Sequence, residues 1–406
     1  MPSTTAPGHD ENPNGPSLGA LFLIFLRLGC TSFGGPVAHL GYFRDEFVLR
    51  RRWLGERAYA DLVALCQFLP GPASSQVGMA IGLSRGGYAG LALAWCGFTL
   101  PSAVALILFA LGMAHWGDAL PAGLLDGLKI AAVAVVAQAV WGMGRSLCPD
   151  PLRIALMIGV AALVLLWSTA LAQVAVILLG GLVGLWRLRP EADAAHEALP
   201  VTVSRRAGLI WLALFAALLV GLPLLAEVMG GRTIELIAAF YRAGALVFGG
   251  GHVVLPLLQA EVVPTGWVGN ATFLAGYGAA QAVPGPLFTF SAFLGASLNG
   301  QPSGWLGGSI ALLAIFAPSF LLIVGALPFW EGLRRSRRTR AALMGINAAV
   351  VGLLLAALYD PVWTSAIDGP AAFMLAVAAF FALATWRLPP WLVVLGCALL
   401  GVLLNP

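Results

Sequence analysis

The chain has 406 residues, 60% of them hydrophobic and only 10% charged, with a mean hydropathy of +0.90 and a formal net charge of +4. Soluble domains carry about 25% charged residues, and so few charges could not cover a water-facing surface. A soluble enzyme, a nucleic-acid binder and a secreted disulfide scaffold are thereby excluded, and the apolar stretches predict an all-α polytopic membrane protein.

Residues 1–17 hold Asp10 and Glu11 but no Lys or Arg. They lack the positive start of a signal peptide and read as a disordered N-terminal tail. Helices are predicted over 18–33 and 36–49, broken at Gly34-Gly35-Pro36. Two short pieces, 58–69 and 73–84, flank Pro70-Gly71-Pro72. Neither is long enough to cross alone, so a re-entrant hairpin is expected. Long helices follow over 88–114 and 120–144, then shorter ones over 151–169 and 171–187. A polar linker, 188–204, leads to an apolar helix over 206–228. The pattern then recurs at 233–248, 252–264, 271–283, 286–298, 305–330, 341–359, 370–386 and 389–404.

That recurrence is a duplication. Residues 25–40 read F-L-R-L-G-C-T-S-F-G-G-P-V-A-H-L, and residues 240–255 read F-Y-R-A-G-A-L-V-F-G-G-G-H-V-V-L. At an offset of 215, Phe25, Arg27, Gly29, Phe33, Gly34, Gly35 and Glu46 fall on identical residues, as do Trp53 and Gly55 at an offset of 214. Gln67-Phe68-Leu69-Pro70-Gly71-Pro72 then matches Gln281-Ala282-Val283-Pro284-Gly285-Pro286, and Pro101-Ser102 matches Pro318-Ser319. The chain divides into the tail, a transmembrane repeat over 18–187, a linker with an extra helix over 188–232, and a second transmembrane repeat over 233–406.

Charge orients the two repeats. After the Gly-Gly break, repeat 1 carries Arg44, Arg50, Arg51, Arg52 and Arg57, whereas 259–271 in repeat 2 has no basic residue. After the Pro-Ser pair, repeat 2 carries Arg334, Arg335, Arg337, Arg338 and Arg340, whereas 114–121 in repeat 1 has no Arg or Lys. Basic residues gather on the cytoplasmic side, so the repeats are expected to be inverted, with the extra helix supplying the odd crossing. The N-terminus then lies inside and the C-terminus outside. Arg145, Arg153, Arg187 and Arg387 fall on the cytoplasmic side, and Arg232 is the exception.

Each repeat has two breaks at which backbone N–H groups and the positive end of a half-helix can bind an anion. Gly34, Gly35 and Gly71, with Gly249, Gly250 and Gly285, are therefore candidate substrate-binding positions, although hinges and close helix crossings use the same residues. Arg27 and Arg242 each stand two turns before their Gly-Gly, where a membrane-buried charge costs at least about 2.5 kcal/mol. They could present two guanidinium forks to one divalent oxyanion, or pair with Glu46 and Glu261. Gln67 and Gln281 precede each Pro-Gly-Pro by three residues. With Ser74, Ser75, Gln76, Thr289 and Ser291 they add donors for an oxyanion, or for bonds between helices.

His39 and His252 follow the two Gly-Gly breaks, but the alignment sets His252 on Val37, so they are not a symmetric pair. Either is a proton relay or a packing residue. Asp61 falls on Ala275, while Asp126 and Lys129 are three apart on one helix face and can neutralise each other. The chain has no HExxH, GxSxG or P-loop signature. Its five cysteines, Cys30, Cys66, Cys96, Cys148 and Cys397, are scattered without a CxxC or Cys/His cluster. A secondary carrier is expected, with no catalytic residue, metal or cofactor and no nucleic-acid partner.

The ordered set F-G-G-P and Q-x-x-P-G-P, then F-G-G-G-H and Q-x-x-P-G-P, resembles the chromate ion transporter family in its long, two-domain form, over essentially the whole chain after the tail. The resemblance implies a bacterial inner-membrane carrier that exports chromate, a tetrahedral dianion, and confers chromate resistance. It also implies about 13 transmembrane segments in oppositely oriented halves. The family's motif residues map onto Arg27, Phe33, Gly34, Gly35, Pro36, Gln67, Pro70, Gly71 and Pro72 and their repeat-2 partners, with Gly251 where repeat 1 has Pro36. Transport of sulfate or another oxyanion and an anion channel are the alternative readings, with the lipid bilayer and a homo-oligomer as the expected setting.

Overall fold

The structure is a computed structural model that describes residues 16–116, 121–167, 169–190 and 203–404. Most of the expected tail, 1–17, and of the linker, 188–204, lies outside the described residues, which contain no strand.

Helix α1 (Leu18–Thr31) starts on Ser17, whose hydroxyl accepts the Ala20 N–H, and stops before the first break. Gly34 and Gly35 there have φ of +99° and +77°, a left-handed backbone that penalises any residue with a Cβ. Helix α2 (Gly35–Arg44) follows, with Pro36 in its first turn, where a missing N–H is no loss. A π-helical segment, Asp45–Arg50, extends it. Helix α3 (Glu56–Phe68) and the start of α4 (Ala73–Trp116) flank Pro70-Gly71-Pro72. The backbone of α4 leaves helical geometry at Gly86-Gly87, which separates the two pieces expected over 73–84 and 88–114. Helices α5 (Ala122–Leu147), α6 (Pro151–Leu166) and α7 (Ala170–Arg187) complete repeat 1.

The extra helix is α8 (Arg205–Met229). Repeat 2 then runs through α9 (Arg232–Leu246), a 3-10 turn at Gly251–Val253, α10 (Val254–Val262), α11 (Asn270–Ala282), α12 (Phe290–Ala296) and α13 (Gly304–Ala326). It ends with α14 (Trp330–Arg335), α15 (Arg337–Ala357), α16 (Pro370–Ala384) and α17 (Pro390–Leu404).

Among the described residues, five helical stretches are long and apolar enough to cross a membrane: 73–116, 123–147, 205–229, 304–329 and 337–363. Six shorter apolar helices accompany them. On α8 only Gly208 is buried, and Ile210 and Val228 are 67% and 85% exposed. An apolar helix with an uncovered apolar face is stable in lipid, not in water.

The long helices exchange partners between the repeats. Helix α5 of repeat 1 packs on α16 and α17 of repeat 2, and α15 of repeat 2 packs on α6 and α7 of repeat 1. Both crossings depend on glycine. A Cβ on Gly127 would stand 2.2 Å from the Cys397 carbonyl oxygen, and one on Gly345 would stand 2.0 Å from that of Gly180. Small residues let helix backbones approach this closely where lipid supplies no hydrophobic drive. Within each repeat the first helix sits equally tightly on the Pro-Ser helix, through Gly29 against Gly97 and Gly244 against Ile315.

Candidate functional site

The two kinds of break meet across the repeats. The Gly71 N–H donates to the Val247 carbonyl at 2.7 Å, and the Gly285 N–H donates to the Ser32 carbonyl at 2.9 Å. Val247 and Ser32 are the residues just before the two Phe-Gly-Gly sequences, so each Pro-Gly-Pro is held by the other repeat's Gly-Gly break. Both glycines have left-handed φ, +121° and +104°. Each also lies against the Pro-Ser serine of the opposite repeat: a Cβ on Gly71 would stand 2.5 Å from Ser319 Oγ, and one on Gly285 2.7 Å from Ser102 Oγ. A side chain at either position would wedge the repeats apart.

Around these bonds lies a buried polar seam. His39 Nδ1 is 3.3 Å from Ser74 Oγ, and Nε2 is 3.2 Å from the Ser32 carbonyl. The Gln76 amide nitrogen donates to the Pro70 carbonyl at 2.7 Å. Gln76 Oε1 and the hydroxyls of Ser32, Ser75, Thr99 and Ser319 are buried without a hydrogen-bond partner. Unsatisfied polar groups are costly in a low-dielectric interior, so such a cluster marks a place with a reason to stay polar.

Beside the seam is a cleft of about 570 Å³ between the Phe33-Gly34-Gly35 break and the turn joining α16 to α17. Repeat 1 supplies Gly34, Gly35 and Tyr42, with Gln138 from α5; repeat 2 supplies His252 and Gln281. Phe33 and Trp391 close one wall, with ring centroids 6.1 Å apart. His252 Nδ1 is 2.9 Å from the Tyr277 hydroxyl, which fixes the ring, and the Gln281 amide nitrogen is a buried donor with no partner. Among the described residues, no Asp or Glu lines the cleft. Neutral donors, backbone at a helix start and no competing carboxylate suit an anion.

Four expected site residues, Gly34, Gly35, His252 and Gln281, therefore share one cavity. The others stand elsewhere. Gly71 and Gly285 join the repeats, and Ser74 holds His39. A Cβ on Gly249 would touch Leu147 and Met143 at 3.4 Å, so the repeat-2 break is covered by the end of α5. Gly250, at φ +144°, also has Met143 as its neighbour. Gln67 is exposed near the end of α3.

Arg27 and Arg242 do not converge on one ligand. Arg242 makes a bidentate pair with Glu261, both bonds 2.7 Å, whereas Arg27 is exposed on α1. Glu46, the repeat-1 counterpart of Glu261, is taken by Arg50 and Arg51 at 2.9 and 2.7 Å. Those two arginines are absent from repeat 2, and their proximity along the chain outcompetes Arg27. Asp126 and Lys129 pair at 2.7 Å, as their spacing predicts.

The profile of the chromate transporter family matches residues 19–185 and again 234–402, once in each half. The chain belongs to the chromate transporter family. A chromate transport protein of Pseudomonas aeruginosa is 32% identical over 84% of this chain and 80% of its own length. One of Cupriavidus metallidurans is 28% identical over all of this chain and 98% of its own. An uncharacterised transporter of Methanocaldococcus jannaschii is 26% identical over 85% of each chain. No solved structure matches.

In this member of the chromate transporter family, Tyr42, Gln138, Arg387 and Trp391 line the cleft although no motif contains them. Tyr42 and Gln138 look like ordinary helix residues in the sequence. Arg387 had a signal: it is a solitary cation between two short apolar helices, followed by Pro389-Pro390.

Proposed function

We propose that this protein is a secondary carrier that exports chromate across the bacterial inner membrane by alternating access between inverted repeats. The observation that carries this is the one-sided cleft, built from both repeats and lined by donors without a carboxylate. On the pseudo-equivalent side, among the described residues, the polar cavities beside Gln173, Pro256 and Arg242 measure about 30 and 10 Å³, and the larger groove between α6 and α7 is lined by apolar side chains alone. A channel would be open on both faces together, and the difference between the two favours a carrier held open to one side. Arg387 on the cleft lining, taken with the positive-inside rule, supports the cytoplasm as that side.

Gly34, Gly35, His252 and Gln281 take the anion in this state. In the opposite state the repeats exchange conformations, and the Gly249-Gly250 break with Gln67 forms the equivalent cleft. Gly71, Gly285 and Ser74 hold the breaks in register in both states, and Arg242 fixes α9 against α10 through Glu261. Moving a dianion outward down an inside-negative potential releases about 4.6 kcal/mol per 100 mV, twice the single-charge value. Export therefore needs neither ATP nor a proton gradient.

The test is uptake of radiolabelled chromate into everted membrane vesicles, with the potential imposed, the pH gradient collapsed and sulfate as competitor. Accumulation that follows the potential and saturates with chromate is expected. Absence of chromate accumulation under a potential, with or without a pH gradient, would overturn the substrate. Unsaturable flux at channel rates would overturn the carrier.

A further inference from the structure

Arg387 lies on the turn between α16 and α17, with φ +54°, one of two non-glycine residues with a left-handed backbone among the described residues. Among the described residues it is the only Arg, Lys, Asp or Glu lining the cleft, and none of the ion pairs formed there engages it. A left-handed backbone at an exposed, uncompensated cation on the cavity lining has a local cost that surrounding structure must impose, and such outliers cluster where a ligand is gripped. The N-terminal turn of α2 at Gly35 and the unpartnered amide of Gln281 line the same cavity.

We infer that Arg387 is the residue that selects the valence of the transported anion. Its guanidinium fork engages two oxygens of a tetrahedral divalent oxyanion, while Gln281 and the start of α2 take the others. At a given separation a dianion gains twice the Coulomb energy of a monoanion, and no carboxylate in the cleft cancels it. The substrate class is therefore divalent oxyanions, chromate and sulfate alike, over nitrate or chloride. This rests on the cleft being the transport site.

The experiment compares wild type with Arg387→Gln, Arg387→Lys and Leu388→Glu in everted vesicles, using chromate as substrate and sulfate or nitrate as competitor. Leu388 also lines the cleft, so Leu388→Glu sets a carboxylate beside an intact Arg387, and Leu388→Gln is its uncharged control. Loss of a charge-assisted contact predicts a rise of at least about tenfold in half-saturating chromate for Arg387→Gln. Arg387→Lys keeps the charge without the fork and falls between, and Leu388→Glu follows Arg387→Gln. The advantage of sulfate over nitrate as competitor shrinks in step. Arg145→Gln, which removes a cation beside Trp141 outside the cleft, controls for general loss of positive charge.

Wild-type half-saturation and wild-type valence preference in Arg387→Gln would overturn the inference. Should that variant fail to reach the membrane, Leu388→Glu behaving like Leu388→Gln would overturn it equally. Gln281→Leu separates the two levels. If it impairs transport while the Arg387 variants do not, the cleft stands and Arg387 falls; if none of them alters chromate flux, the cleft itself is not the path.

Discussion

The Gly71 N–H and the Val247 carbonyl oxygen, 2.7 Å apart, tie the Pro-Gly-Pro break of repeat 1 to the Gly-Gly break of repeat 2. The bond from Gly285 to Ser32 does the same in the reverse sense. A displacement of either Gly-Gly break must therefore break a buried backbone bond or carry the other repeat's Pro-Gly-Pro with it. Breaking the bond leaves an orphaned donor and acceptor where water is scarce, which costs more than moving the two segments together. In the proposed alternating access, motion at one break is then transmitted to the other through these main-chain contacts.

Gly71→Ala and Gly285→Ala should each lower stability in detergent by roughly 2–3 kcal/mol, from left-handed strain and from overpacking. For Gly71 the overpacked neighbour is Ser319 Oγ, 2.5 Å from where the Cβ would stand. Adding Ser319→Gly should recover the overpacking share and leave the backbone share. Thermal or denaturant unfolding of the single and double variants checks this, and strictly additive effects would show that the two residues do not touch.

Arg242 and Glu261 should prove a structural pair that Arg27 does not share. Their side chains are 32% and 11% exposed, so Glu261→Gln leaves a partly buried cation alone. A loss of about 2–3 kcal/mol is expected, reduced from the fully buried case by that exposure. Glu56→Gln, whose pair with Arg44 is solvent-exposed on both sides, should cost clearly less, since exposed pairs are screened by water. Arg27→Ala should stay within about 0.5 kcal/mol of wild type. Unfolding midpoints of the four proteins in one detergent decide the order.

The breaks were legible in the sequence because they consist of residues with backbone consequences. Gly34-Gly35 with Pro36, and Pro70-Gly71-Pro72, combine left-handed freedom with missing N–H donors, and their duplication located the equivalent points in repeat 2. The partners of those breaks were not legible, since nothing local to Gly71 specifies Val247. The Arg242–Glu261 pair could be read as an alternative from a matched offset. Its repeat-1 counterpart fails because Arg50 and Arg51 compete for Glu46, a contest that depends on the π-helical turn at Asp45–Arg50. Tyr42, Gln138 and Trp391 reach the cleft from three separate helices, and only tertiary packing brings them together.

The crossing of α7 and α15 should be intolerant of a single methyl group. A Cβ on Gly345 would lie 2.0 Å from the Gly180 carbonyl oxygen and 2.9 Å from Gly184 Cα, and both are backbone that cannot rotate away. Gly345→Ala should therefore cost about 2 kcal/mol or more. Gly142→Ala, in the exposed part of α5 with nothing within 4 Å of the new Cβ, should instead stabilise by up to about 1 kcal/mol through helix propensity. Opposite signs in the two unfolding shifts are the expected result, and a neutral Gly345→Ala would mean that the helices do not cross this closely.

One-sided access can be read directly with thiol chemistry. Leu388 lines the wide cleft, whereas Ala356 lines the cavity of about 30 Å³ and is 2% exposed. Of the native cysteines Cys30 is exposed, so it is first replaced by Ala. Leu388→Cys should then react with a bulky, membrane-impermeant maleimide much faster than Ala356→Cys, because the reagent and its hydration fit only the larger space. With the cleft facing the cytoplasm as proposed, the reaction at Leu388→Cys should occur in everted vesicles and not in right-side-out ones. Equal labelling of both positions from either side would mean that the two breaks are open together, the property of a channel and not of a carrier.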